Sequence, residues 1–235
     1  MMGAVAVMGV AALLTACGVP KPRPAVPGAA PSVRALPQAP ASPDLYVIDP
    51  SQSDIRILVY RAGVLASAGH NHVITNRAVS GWVKFAGKPS EASFAFTVPV
   101  ANFEVDNAGD RALEGSDFFE EVDDDAKAGT RHNMLSPALL DGIPYPQIVV
   151  TSVAVTQSAG VVTATLAVNV AGHESTLVVP FEVATSAAQV SASGIVKVRQ
   201  TSLGLRPFSI FHGALQVQDD ITVKFVLVAL KSPAA

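Results

Sequence analysis

Apolar and polar positions alternate along much of the chain after residue 49. Ala92, Phe94, Phe96 and Val98 alternate with Ser93, Ala95 and Thr97. Ala164, Leu166, Val168 and Val170 alternate with Thr163, Thr165, Ala167 and Asn169. The same period recurs in Leu177, Val179, Phe181 and Val183, and again in Ile221, Val223, Phe225, Leu227 and Ala229. A period of two belongs to a strand with one dry and one wetter face. Further strands are predicted at 53–61, 78–86, 146–156 and 189–200, making about eight. Gly87-Lys88-Pro89, Ser158-Ala159-Gly160 and Ala171-Gly172-His173 are turn signals between them.

Two stretches break this rhythm. Residues 105–143 hold Asn107, Gly109, Gly115 and the acidic run from Glu120 to Asp125. Met134, Leu135, Leu139 and Leu140 then follow at helical spacing, which predicts one or two short helices within 108–142. So long an excursion between strands usually forms a cap or lid. Residues 18–43 contain eight of the 17 prolines. Proline fixes φ and donates no N–H, so neither helix nor sheet is expected. Polyproline II at roughly 3.1 Å per residue would carry these 26 residues about 80 Å.

Residues 4–14, AVAVMGVAALL, are too short to span a bilayer. They read as the apolar core of a signal peptide. Leu14-Thr15-Ala16-Cys17 follows and resembles the lipobox of bacterial lipoproteins, in which the cysteine carries the lipid. Cys17 is the only cysteine of the chain. The expected organisation is a signal peptide over 1–16, a Pro-rich linker over 17–43 behind a lipidated Cys17, and one β domain over 44–232. A residue other than Asp after Cys17 leans towards the outer membrane, with the domain facing the periplasm.

Eight mostly antiparallel strands hide their edges best in a closed barrel. Barrels of this size are filled by side chains or hold one small ligand. The expected lining is Phe94, Phe96, Leu166, Val168, Phe181, Phe225 and Leu227. The net charge of −3 gives no footprint for nucleic acid. His70 and His72, two apart in Gly69-His70-Asn71-His72, would share a face of a strand. They are assigned to a polar barrel mouth. Two histidines alone do not make a metal centre, so no metal and no cofactor are expected. A His-based metal or haem site stays as an alternative, as does a filled barrel acting as an envelope interaction module. Arg199, Arg206 and Lys197, near Leu203-Gly204-Leu205, suit surface solvation better than an anionic head group. No nucleophile elbow, phosphate loop or dinucleotide fingerprint is present, so no enzyme is expected.

Several short motifs, in order, add to this reading. They are Asp49-Pro50-Ser51-Gln52-Ser53, Ser116-Asp117-Phe118-Phe119, Tyr145-Pro146-Gln147-Ile148, the hairpin Leu166–Gly172 with Leu177-Val178-Val179-Pro180, and Thr201-Ser202-Leu203-Gly204-Leu205. From Tyr46 to Leu230 the chain resembles the YceI-like, polyisoprenoid-binding family of bacterial periplasmic proteins. The resemblance implies an extended lipocalin-like β-barrel with a long isoprenoid or similar amphiphile in its tunnel, and no catalytic residues. A homodimer is left open.

Overall fold

The computed structural model describes residues 34–232. The signal-peptide segment and Cys17 lie outside them. The strands are β1 (Leu45–Ile48), β2 (Asp54–Val59), β3 (Arg61–Ala62), β4 (His72–Asn76), β5 (Ser80–Lys84), β6 (Ser93–Pro99) and β7 (Glu104–Val105). They continue with β8 (Gln147–Ser158), β9 (Val161–Val170), β10 (His173–Thr185), β11 (Gln189–Arg199), β12 (Ser209–Ile210), β13 (Leu215–Val217) and β14 (Asp220–Lys231). Two α-helices, α1 (Ala108–Ala112) and α2 (Asp124–Leu135), fill the excursion between β7 and β8.

The wall runs β1-β5-β6-β8-β9-β10-β11-β14 and closes through β1–β14 pairing, which makes an eight-stranded antiparallel barrel. Three staves are kinked and run on past the barrel: β1 into β2, β4 into β5, and β6 into β7. Beside β14 they build the extension β2-β4-β7. At the first kink Asp49 accepts a hydrogen bond from the Ser51 N–H at 2.9 Å, and Pro50 opens a short 3-10 turn. A small sheet, β12-β13-β3, sits beside the extension.

Alternation accounts for the wall. Phe96, Val98, Val150, Val168 and Val170 are buried in one core. In β8 a bulge between Ser152 and Ala154 swings Val153 outward, so that both Val150 and Val155 are buried on the inner face. At Gly81 a Cβ would lie 2.2 Å from the Ala95 carbonyl oxygen, so the close crossing of β5 and β6 requires glycine. Besides the two- and three-residue strands β7, β12 and β13, two strands escaped the periodicity. The four residues of β1 are too few to show a period. In β4, Val73 to Asn76 are all buried, so its two faces do not differ in polarity. The helices fall within the expected excursion, and Met134, Leu135, Leu139 and Leu140 all pack on the core. Leu139 and Leu140 do so from the turn after α2.

The described end of the Pro-rich segment is not a free spacer. Ala35, Gln38 and Ala41 are exposed, while Arg34, Leu36, Pro37, Ala39, Pro40 and Ser42 are half-buried. That three-residue period is the signature of a polyproline II helix lying on a surface. The Trp82 indole N–H donates to the Pro37 carbonyl at 2.8 Å, and Arg34 pairs with Glu174 at 2.6 Å. Trp82 is on β5 and Glu174 on β10. In the sheet order β6, β8 and β9 lie between these two strands, and Ala95, Thr97 and Val149 of β6 and β8 are buried although they point outward.

Candidate functional site: an apolar cavity

Inside the barrel is a cavity of about 240 Å³, and every side chain that lines it is apolar. Phe94, Phe96, Leu166, Val168, Phe181, Phe225 and Leu227 are all in the lining. Phe94 and Phe96 stack with ring centres 6.4 Å apart. Alternation also marks further lining residues not singled out from the sequence, among them Ile57, Val150, Leu177, Val196 and Ile221. Phe103 and Leu203 had no such signal, because they lie outside the regular strands.

The two ends of the barrel differ. At one end, Phe103, Leu203 and Ile148 join the lining. The segments after β6, α2 and β11 pack there, with Met134, Leu140 and Leu205 in the same core. At the other, the cavity meets a wider vestibule of about 1110 Å³. Phe85, Pro89, Phe181, Val183 and Phe225 border both spaces. The vestibule also reaches charged groups, including Asp54, Arg56, Glu182 and Lys224. Of these, Arg56 and Lys224 both hydrogen-bond Glu114, whose side chain is 1% exposed. They are therefore occupied in pinning the segment after α1 to β2 and β14.

His70 and His72 do not line the cavity, and the expectation of a polar mouth is corrected on this point. β4 enters the wall at the extension, beyond the closed part of the barrel, so residues at its start lie away from the tunnel. His72 Nδ1 is 2.6 Å from Asp106 Oδ2, and its Nε2 is 3.4 Å from Thr130 Oγ1 on α2. His70 Nε2 stands 4.0 Å from Glu120. Asp106 is 1% exposed and also accepts from the Val73 N–H at 2.8 Å and from Arg111. Arg111 reaches on to the carbonyls of Asn71 and Glu120, at 2.7 Å each. These residues form a joint that ties the start of β4 to the helical segment.

Burial alone would raise the Asp106 pKa. Hydrogen bonding and charge from His72, the Val73 amide and Arg111 outweigh it and hold the carboxyl below its ordinary value. Asp110 and Glu114 show the same balance: desolvation raises, while Arg77 and Arg56 respectively lead the groups that lower. Among the described residues, no group of three or more His, Cys, Asp or Glu is placed to hold a metal ion.

An antiparallel eight-stranded barrel closed around an apolar cavity is a lipocalin-like fold. The chain belongs to the YceI-like domain family, whose model matches residues 46–229. It is similar to BcnA of Burkholderia cenocepacia, with 19% identity and a TM-score of 0.57 over 77% of this chain and 98% of that one. It is also similar to a mutant YCEI protein of Campylobacter jejuni, crystallised for nanotechnology applications. That likeness has 13% identity and a TM-score of 0.50 over 68% of this chain and 85% of the other. At these identities the likeness speaks for the fold. No curated protein matches the chain.

Proposed function

We propose that the protein is an envelope lipoprotein that carries or sequesters a polyisoprenoid or similar long-chain amphiphile. The observation that carries this reading is the cavity: about 240 Å³, walled only by apolar side chains. That exceeds the roughly 150 Å³ of a dry apolar cavity known to accept benzene. It suits one narrow chain whose head group stays in the vestibule. A filled barrel, the rival reading, would leave no such space. Each methylene moved from water into the lining contributes about 0.8 kcal/mol. Ten of them would give roughly 8 kcal/mol before association costs; micromolar binding needs about that much net, so a longer chain or contacts to the head group must supply the rest.

Native mass spectrometry of the protein, purified from its own host without detergent, tests this reading. A co-purifying lipid of one mass class is expected. Protein that is empty in every preparation, and that takes up no long-chain alcohol or acid when titrated, would overturn it.

The anchor is proposed on Cys17. Several acyl chains make membrane attachment stable, whereas Lys21, Arg23 and Arg34 alone would supply only about 1 kcal/mol each on an anionic surface. Cys17→Ser is expected to abolish labelling by a palmitate analogue and to move the protein out of the membrane fraction, or leave it as an unprocessed precursor. Wild-type protein that takes no label and fractionates like the variant would remove the anchor from this reading.

A further inference from the structure

Along one line of the barrel wall two long neighbouring strands leave most of their length unpaired. β10 and β11 pair only where Glu182–Thr185 face Val190–Ser193. Beyond that, β10 from His173 to Phe181 is bonded to β9 alone, and β11 from Gly194 to Arg199 to β14 alone. The far end of this seam is closed by His173, which packs so tightly on Gly204 that a Cβ there would fall 2.5 Å from its ring. Local chemistry explains why the ladder stops. Continued in register, the next residues would be Phe181 against Gly194 and Pro180 against Ile195. Pro180 has no N–H to donate, which fits it to an unpaired edge. A Cβ at Gly194 would meet the Phe225 ring at 2.8 Å and the Pro180 carbonyl oxygen at 3.2 Å.

The seam runs beside the cavity. Leu177 and Val179 line the cavity from one rim, and Val196 and Val198 from the other. The outer rims are apolar as well, since Val178 and Ile195 are each 63% exposed. The vestibule reaches residues of both faces here, Phe181 and Phe225 from inside and Pro180 and Ile195 from outside.

We propose that the seam between β10 and β11 is a lateral portal, through which a hydrocarbon chain slides sideways into the cavity. This rests on the carrier reading above. Parting any other pair of staves breaks the ladder hydrogen bonds between them. Parting β10 and β11 over His173–Phe181 and Gly194–Arg199 separates only side chains and leaves their paired ends in place. Sideways admission also keeps a long chain against apolar surface throughout, whereas end-on threading starts it across the charged vestibule.

The test uses 11-(dansylamino)undecanoic acid as probe, on the full chain carrying Cys17→Ser. Val178→Cys with Lys197→Cys, bridged by a bismaleimide, closes the seam. Ala184→Cys with Ser191→Cys, bridged in the same way, spans the paired part of the same two strands and serves as control. Stopped-flow fluorescence is expected to show association and dissociation both slowed about tenfold by the first bridge, with Kd within about threefold and the control unchanged. Pro180→Val is a second closure, because it restores a donor. Hydrogen exchange should then show new protection over 194–199, again with slower probe kinetics. Unchanged kinetics in the bridged protein, or in a Pro180→Val protein that has gained protection, would overturn the portal. Failure of the unmodified barrel to bind the probe would instead remove the carrier reading, and the portal with it.

Discussion

Asp106→Ala is expected to be the most destabilising single substitution in the joint between β4 and the helices, with a loss of roughly 3–5 kcal/mol. The Arg111 side chain is only 7% exposed, and Asp106 is the one carboxylate it touches among the described residues. Removing Asp106 leaves a buried guanidinium without its counter-charge and the Val73 N–H without its side-chain acceptor. Alanine would also have to hold φ at +54°, a left-handed conformation that Asp and Asn tolerate better. Asp106→Asn keeps the shape and the backbone preference and removes only the charge, so its loss should be smaller. Equilibrium unfolding in urea measures both. A loss below about 1 kcal/mol for the alanine variant would show that the joint does not hold the extension together.

The joint and two further paired carboxylates, Asp110 and Glu114, are expected to set the acid limit of the fold. Asp106, Asp110 and Glu114 all have folded-state pKa values below their ordinary ones. Depressed carboxyl pKa values contribute stability that is fully present above the unfolded values, near 4, and is lost as pH falls through the folded ones. Stability should therefore be flat on this account from neutral pH to about 5 and decline below about 4. Asp106→Asn should flatten that decline.

The barrel was legible because one dry face imposes a period of two, and a single slip would turn every side chain over. Phe94 to Val98 and Ile221 to Ala229 gave their inner faces away, and the lining followed from them. In the sequence Pro180 stood out only as part of a hairpin motif, although a proline inside a strand marks an unpaired edge. The His72–Asp106 pair was not legible. Its partners lie 34 residues apart, and the spacing of His70 and His72 pointed to a mouth that the extension carries elsewhere. The docking of the Pro-rich segment was missed for a related reason. Proline content predicts the conformation of residues 34–43, but not that Trp82 and Glu174 wait for them on the outer wall.

Ala192→Trp is expected to abolish most long-chain binding while leaving the barrel folded. Ala192 lines the cavity. It stands on β11 between Val183 of β10 and Leu227 of β14, on the inner face of the wall. An indole there occupies space that a chain would otherwise fill. Excluding about four methylenes removes roughly 3 kcal/mol of binding, or about a hundredfold in affinity. The wall itself should tolerate the change, because overpacking destabilises, by about 1–3 kcal/mol, only where no void receives the added atoms. Ser191→Trp, one residue away, points outward and serves as control. Titration of the dansyl probe, read beside the thermal midpoint of each variant, separates a filled cavity from a damaged barrel. If Ala192→Trp bound the probe as tightly as Ser191→Trp, with both variants folded, the chain would have to lie somewhere other than the barrel interior.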